Sequence, residues 1–480
     1  MTGATMGAAI WWIRRDLRLA DNPALLAAVA TGLPVIPVYL HAPHEEGRWR
    51  AGAASNVWLE RSLDALAGAL TKLGSPLILR TSKTASSAEM LNQLISDTGA
   101  KAVFWNRLYE PTITTRDTEI KAQLKQAGVQ AESFSGYLLH EPWQLQTGAG
   151  DVYRVFTPYW RNARSKLAGF APQPAPTRLI APTKPVASAA LAELNLRSAE
   201  TIRRGWDAPF FVDISAGEAG AWAAISQFEE GALANYTLGR DRPDQAGTSR
   251  LSAALHFGEI SVTQAAHAMQ SSGAPTAEAE FYLRELGWRD FSHQLLYHFP
   301  KISDAPLNAR YAEFPWNDDQ TDVARKQLRA WKMGQTGIPM IDAGMRELWQ
   351  TGWMHNRVRM LVASYLTKNL RLHWLHGARW FWNTLVDADL ASNTQGWQWA
   401  AGCGADAAPY FRIFNPITQG EKFDPRGDYV RRFVPELAKL SGASIHQPWK
   451  VGGVRGYPNP VIDLKDTRES ALAAFSGWRK

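Results

Sequence analysis

Residues 386–399 read VDADLASNTQGWQW. Asp387 and Asp389 stand two apart, Asn393 follows four residues later, and Trp397 and Trp399 flank Gln398. Two carboxylates and an amide this close together can hydrogen-bond a bound group, and the spacing alone leaves open which chemistry it has. Large rings beside them can stack on it, carry electrons, or fill a core. A second cluster, GWMHNRVRMLVASYL (352–366), packs His355, Asn356, Arg357 and Arg359 into five positions. On a helix Asn356 and Met360 share a face, and Arg359 lies one position off it. An arginine held among Met354, Val358 and Met360 needs a carboxylate, and the two acids of the first stretch are candidates. The alternative is a basic, solvated helix face.

Three further stretches carry possible chemistry. GTSRLSAALHFGEIS (247–261) places Thr248, Ser249 and Ser252 around Arg250. Hydroxyls and backbone N–H groups at a helix start make an anion site, with phosphate the usual guest; an ordinary N-cap is the alternative. LRELGWRDFSHQ (283–294) spaces Glu285, Trp288 and Arg289 on one helical face. A glutamate beside a ring can hydrogen-bond a heterocycle that the ring stacks on, or Glu285 can simply pair with Arg289 at i,i+4. Residues 408–432 interleave aromatics with Arg412, Lys422, Arg426, Arg431 and Arg432. That mixture suits a nucleic-acid backbone or a charged surface loop.

The elements that must position these residues fall into two patterns. Up to residue 135 short apolar runs alternate with helical spacing: strands at 8–13, 34–40, 76–80, 102–106 and 129–136. Helices are expected at 21–30, capped by Asp21 or Asn22, and at 54–74, 86–98 and 114–127. This alternation predicts an α/β domain, 1–135, with a five-stranded parallel, doubly wound sheet. Its first strand-to-helix turn, RRDLRLADNP, has no glycine, so it is not an ordinary dinucleotide cradle. Residues 136–215 read as a connector, with the proline-rich 171–185 extended and exposed. From 216 to 480 the spacing is helical, which predicts an all-α second domain.

Bulk properties narrow the classes. The 480 residues suit two or three domains. No apolar run is long enough to span a membrane, and the N-terminal run reads as a first strand, not a signal peptide. With a single cysteine, Cys403, no internal disulfide forms and a reducing cytoplasm is expected. The net charge of +7 fits a polyanionic partner without requiring one. Of the 21 tryptophans, 13 lie after residue 216.

Taken together, WWIRRDLRLADNPAL, GTSRLS, ELGWRDF, TGWMHNRVRM, VDADLASN, GWQWAAG and DAAPYFRIFNP resemble, in order, the motifs of the photolyase/cryptochrome flavoproteins. The resemblance covers nearly the whole chain and implies FAD folded into the helical domain. It implies that Tyr236 and the run Thr248, Ser249, Arg250, Leu251 and Ser252 hold the phosphates, with Tyr282 and Arg289 lining the pocket. Asp387 matches the partner of Arg359, Asp389 the acid facing the flavin's polar edge, and Asn393 the residue at flavin N5. Plant cryptochromes have an aspartate at that last position, so the amide points to repair. Trp397, Trp374 and Trp316 match the inner, middle and outer members of an electron-transfer chain. The stretch from Trp316 to Trp331 is longer than is usual in the family, and Trp380 or Trp382 could offer a branch.

Trp288 and Trp399 match the rings that clamp a flipped pyrimidine dimer. Glu285 and Asn356 match its hydrogen-bond partners and Met360 the thioether packed on it. Arg240, Arg357, Arg412 and Lys422 match phosphate contacts. The (6-4) photolyases carry a histidine pair around the site, where this chain has Asn356 and Met360, and His355 is expected to be structural. The resemblance is thus greatest to bacterial cyclobutane pyrimidine dimer photolyases, including the class III group near plant cryptochromes. It implies that reduced FAD, excited by blue light, donates an electron to the dimer. A methenyltetrahydrofolate antenna is expected in the α/β domain, although NRLYEPTITTRD (106–117) lacks the common folate pair. UV-damaged DNA is the expected partner, with no membrane and no obligate protein partner, for a monomer. The alternative is a cryptochrome-type blue-light sensor without repair; the absence of a long tail after Trp478 is expected to disfavour it.

Overall fold

The computed structural model describes residues 7–167, 171–407 and 411–479. Ala408, Pro409 and Tyr410, part of the basic–aromatic stretch, lie outside the described residues. The α/β part runs β1 (Ala9–Ile13), α1 (Pro23–Ala30), β2 (Val35–His41), α2 (Ala53–Leu73), β3 (Ile78–Thr81), α3 (Ser87–Thr98), β4 (Ala102–Asn106), α4 (Pro111–Gln126) and β5 (Gln130–Phe134). All strand pairs are parallel, in the order β3-β2-β1-β4-β5. The α/β prediction therefore holds, with shifted ends. β3 begins at Ile78 because Pro76 has no N–H for the ladder, and α4 begins at Pro111, whose fixed φ suits a first turn. Asn22 is the cap of α1, accepting from the Leu25 N–H.

The central strand shows how the two faces are filled. Ala9, Trp11 and Ile13 pack into one cluster with α1 and α2, and Ile10 and Trp12 into another with Leu91, Leu94 and Ile120 of α3 and α4. Alternation sends successive side chains to opposite faces, and both faces are covered, so AIWWI is buried throughout. The first cluster also contains Phe257 and Val386, so the sheet's core continues into the helical part.

The turn after β1 explains its missing glycines. Arg18 is fully buried and donates to Asp21 O (2.8 Å), Gly136 O (2.9 Å) and Gly258 O (3.0 Å). Asp16 accepts from the Arg14 N–H and the Asn106 amide. Side chains fill the space where a phosphate cradle would need bare backbone.

Residues 136–215 are not merely extended. They hold α5 (Phe156–Ser165) and α6 (Ala199–Arg204). The proline-rich stretch lies on the α/β part: Leu179 is buried, its N–H donates to Leu73 O, and Ile180 O accepts from Val35 N–H. Farther on, Ala189 N–H donates to Leu79 O and Ser188 Oγ accepts from Leu79 N–H. These bonds cover β3, an edge strand whose backbone would otherwise be unpaired.

Among the described residues no strand follows β5. The helical part comprises α7 (Glu218–Glu230), α8 (Tyr236–Gly239), α9 (Ser252–Phe257), α10 (Val262–Ser271), α11 (Thr276–His298), α12 (Asp322–Met333), α13 (Pro339–Thr351), α14 (Asn356–Ser364), α15 (Trp374–Thr384), α16 (Leu390–Ala401), α17 (Pro416–Phe423), α18 (Asp428–Phe433) and α19 (Leu464–Arg479). Its largest core gathers Trp331, Val358, Leu361, Trp374 and Trp397 from α12, α14, α15 and α16.

A second buried polar residue joins the two parts. Glu259 Oε1 accepts from Trp58 Nε1 (3.1 Å), Gly217 N–H (2.6 Å) and Ser62 Oγ, while Oε2 is buried without a partner. Burial pushes this carboxyl up to about 7 despite those three donors. A raised acid binds its proton more tightly when folded, so its contribution is fully present below the unfolded value. It is lost as pH rises through about 7. Glu259→Gln keeps an acceptor and cannot ionise. Relative to the native chain it should gain stability between about pH 5 and pH 8, by up to ~3 kcal/mol. Unfolding midpoints across that range check this, and a difference that does not vary with pH would contradict it.

Candidate functional site

The motif TGWMHNRVRM folds as the end of α13 and the start of α14. Gly352 closes α13 at φ +67, and a Cβ there would meet Val386 and Phe210. His355 caps α14, its Nδ1 accepting from Arg357 N–H at 3.2 Å. Burial holds its imidazole down at about 3, so it is neutral at ordinary pH, as an accepting cap requires. Arg359, one turn on, donates through Nε to Met354 O and through Nη2 to Asp387 Oδ2, both at 2.7 Å. The Asp387 side chain is only 2% exposed, and its Oδ1 is buried without a protein partner.

Asp389, two residues later, caps α16 by accepting from Ser392 N–H at 2.8 Å. Its other oxygen lies 3.2 Å from His293 Nε2, 3.4 Å from Tyr137 Oη and 3.7 Å from His256 Nδ1. Burial alone would raise this carboxyl, but the two imidazoles hold it well below the usual range. One oxygen of Asp389 thus serves the cap of α16 and the other lies beside the two imidazoles. Helical spacing puts Asn393 and Trp397 on the face of the cap. Asn393 Nδ2 donates to Ala378 O at 3.0 Å. Trp397 rests on Gly377 of α15, where a Cβ would come within 1.9 Å of the indole.

The run 248–252 lies where two chain segments cross at glycines, since a Cβ on Gly247 would meet Gly239 O at 2.3 Å. No hydroxyl caps α9; the cap position is Leu251, so the ordinary N-cap reading fails. Ser249 Oγ instead pairs with Tyr282 Oη at 2.9 Å, Ser252 is exposed, and Thr248 is half-buried. Tyr236, buried at the start of α8, packs edge-on against Tyr282. Arg250 adopts φ +57, lies 3.8 Å over the Trp353 ring, and has a buried Nε without a partner. Burial lowers its guanidinium, with Glu347 and Asp387 offsetting only part of that cost. An anion beside it would complete the balance.

A polar rim lies along α11 and α14. Glu285 pairs with Arg240, whose Nη2 donates at 3.1 Å. The alternative Glu285–Arg289 pair is not formed. Arg289 instead donates to Tyr137 O (2.7 Å) and to Leu255 O of α9 (3.3 Å). Arg357 pairs with Asp241 at 2.6 Å. Arg357 and Lys422 both lie against the Phe423 ring, at 4.6 and 5.0 Å. Trp288 stacks on Phe156 of α5 at 3.6 Å and 10°. Asn356 is exposed, Met360 is half-buried, and half-buried Trp399 faces Phe414, over which the exposed Arg412 guanidinium lies at 5.9 Å. Sequence reasoning missed Asp241, Phe156 and Phe423; only Asp241 gave a signal, as the acid between arginines in GRDRP.

The tryptophans form an array across the largest core. Trp397 meets Phe381 (5.0 Å) and Trp331 (6.1 Å), and Trp331 too went unnoticed in the sequence. Buried Trp374 starts α15. The His373 imidazole contacts both Trp374 (5.6 Å) and Trp316 (5.3 Å). The longer stretch after Trp316 does not release it, because Asn317 binds Arg371 O and Leu370 O. Trp380 stacks on Trp349 at 6.0 Å, and Trp382 packs on Trp49 at 5.4 Å.

Arg250, Asp387 and His355 each hold a buried polar atom without a protein partner. Such atoms call for a ligand or water. A guanidinium short of an anion, a carboxylate oxygen and an imidazole nitrogen in one neighbourhood fit a molecule with phosphates and a polar heterocycle.

Comparison with known proteins agrees with this donor set. Residues 9–178 match the family model described as DNA photolyase, and residues 282–477 the one described as FAD binding domain of DNA photolyase. A deoxyribodipyrimidine photo-lyase of Agrobacterium fabrum is 45% identical over 98% of each chain. Cryptochrome-1 of Arabidopsis thaliana is 36% identical over 98% of this chain and 70% of its own. The crystal structure of a bacterial class III photolyase from Agrobacterium tumefaciens superposes with a TM-score of 0.93 at 44% identity, covering 100% of this chain and 99% of that one.

Removing Arg359 should strand the buried Asp387 carboxylate. Arg359→Ala is expected to cost about 3–5 kcal/mol, measured by denaturant unfolding, and Asp387→Asn in the same chain should restore part of it. A loss within the ~1 kcal/mol of a surface pair would show that the carboxylate does not depend on this arginine.

Proposed function

The chain belongs to the photolyase/cryptochrome family, and from that premise we infer that it is a light-driven DNA-repair enzyme, splitting cyclobutane pyrimidine dimers as a deoxyribodipyrimidine photo-lyase does. What carries the reading is a likeness to a deoxyribodipyrimidine photo-lyase that runs the length of both chains. His355 supports the choice of dimer: as a neutral, buried helix cap it is in no position to act as the acid that (6-4) chemistry uses. Asn393 supports repair over sensing, because a neutral amide adds no charge beside a reduced cofactor.

FAD, when bound, supplies the light-driven electron that opens the cyclobutane ring. The chain's own residues bind and orient. Tyr236, Thr248, Ser249, Arg250, Leu251 and Ser252 take the phosphates, with Tyr282 fixing Ser249. Arg359, Asp387 and Asn393 would hold the flavin, Asp387 through its unpartnered oxygen. Asp389 and Arg289 support the site from behind, through the cap of α16 and the backbone of α9. Trp288 and Trp399 stack on the extruded dimer, Glu285 and Asn356 hydrogen-bond its base edges, and Met360 packs against it. Arg240, Arg357, Arg412 and Lys422 take DNA phosphates. Trp397, Trp374 and Trp316 relay electrons to the site, with His373 between the outer two.

We assign methenyltetrahydrofolate, as antenna, to the α/β part without naming ligands. The cavity walled by Trp12, Arg14, Arg15, Tyr39, Glu46 and Arg116 measures about 100 Å³ and is too small to take all of it as the side chains stand. We place the protein as a monomer in the cytoplasm, on UV-damaged DNA. No helix among the described residues is long and apolar enough to cross a membrane.

Reduced protein incubated with UV-irradiated oligothymidine should restore thymine absorbance under blue light and not in the dark. No recovery from flavin-loaded, photoreducible protein would overturn repair and favour the sensor. Glu285→Ala should weaken dimer binding about tenfold or more, the cost of a lost charged hydrogen bond, and undiminished repair would remove its role. Trp397→Phe should abolish photoreduction of the oxidised flavin while chemically reduced protein still repairs, as transient absorption would record.

A further inference from the structure

Asp241 lies outside every motif that gave the site its residues, yet it stands between two of them. It follows Arg240 directly, just past α8, and its Oδ2 pairs with Arg357 Nη2 at 2.6 Å. Its Oδ1 lies 4.0 Å from Arg240 Nε, and Arg240 is itself paired with Glu285. The result is an alternating row, Glu285–Arg240–Asp241–Arg357, with no net charge. The side chains are 28%, 15%, 31% and 17% exposed, so both arginines are more shielded than their acids. Each guanidinium is also held against a ring, Arg240 on Phe281 at 5.1 Å and Arg357 on Phe423 at 4.6 Å. Arg357 Nε is buried without a partner.

Two shielded arginines at a phosphate-binding rim would, if unpaired, attract any DNA backbone. Here each is already neutralised by a carboxylate. An approaching phosphate must compete with Asp241 for Arg357 and sits near a negative charge while doing so. Undamaged DNA brings only phosphates, so the acids weaken its binding. In the lesion-binding reading a flipped dimer also brings base edges to Glu285, so its binding would not rest on phosphate contacts alone. We propose that Asp241 is a specificity-determining residue: its carboxylate holds Arg357 and suppresses binding of undamaged DNA more than binding of dimer-containing DNA. This rests on the lesion-binding reading above.

The test is binding in the dark, at one salt concentration and then across a salt series. Flavin-loaded protein is titrated with a duplex holding one thymine dimer and with the same duplex undamaged. Asp241→Asn should bind the undamaged duplex roughly tenfold more tightly, with a salt dependence steeper by about one phosphate contact. The dimer duplex should gain less, so that discrimination falls several-fold. Asp241→Glu, which keeps the charge, should keep the native ratio. An Asp241→Asn protein with the native ratio, or one in which both affinities fall together, overturns the proposal. Native protein that fails to discriminate at all overturns the lesion-binding reading instead, and the proposal with it.

Discussion

The pair between Arg359 and Asp387 is the contact on which the site depends. A carboxylate with a side chain 2% exposed is stable only with a cation beside it, and that cation comes from the face of α14. The pair therefore fixes α14 relative to the segment entering α16. α14 brings Asn356, Arg357 and Met360; α16 brings Asn393, Trp397 and Trp399. The caps act in the same direction. His355 starts one helix and Asp389 the other, each through its own side chain. At the far end of α16, Lys368 donates to Ala401 O at 2.6 Å. A cation at a helix C-terminus is favourable, even where burial has brought its amine down to about 7.

Much of this was legible in the amino-acid pattern. The five strands follow from alternating apolar runs, and the arginine–carboxylate partnership from an Arg held among Met354, Val358 and Met360. What spacing could not show is which partner a charged side chain takes when several lie within reach. Glu285 had Arg289 at helical distance and took Arg240, while Arg289 donates to the carbonyls of Tyr137 and of Leu255 in α9. Asp389 lies beside two imidazoles, from α9 and α11. Both choices depend on contacts more than 30 residues apart, for which local pattern holds no information. The proline-rich stretch is extended as its composition marks it, but composition does not show that Leu179 and Ile180 bond α2 and β2.

Under the proposed function the tryptophans would serve two purposes with the same atoms. Trp374 and Trp397 are almost wholly buried and would hold the core together in any helical protein. As relays they would depend on what lies between and beside them. Burial keeps His373 down at about 4, so the imidazole linking Trp316 to Trp374 is uncharged near neutrality. Gly377, without a Cβ, leaves room for the outer edge of the Trp397 indole against α15. Packing and electron transfer make the same demand here, which is buried rings.

Arg18 has a consequence for how such a chain can vary. Its guanidinium reaches Asp21, Gly136 and Gly258 together, from three widely separated parts of the sequence. A chimaera taking its sheet half from one relative and its helical half from another must reproduce the Gly258 carbonyl position, or leave Nη1 of a wholly buried cation without its acceptor. The seam between the halves is thus a costly place for recombination even though each has a core of its own.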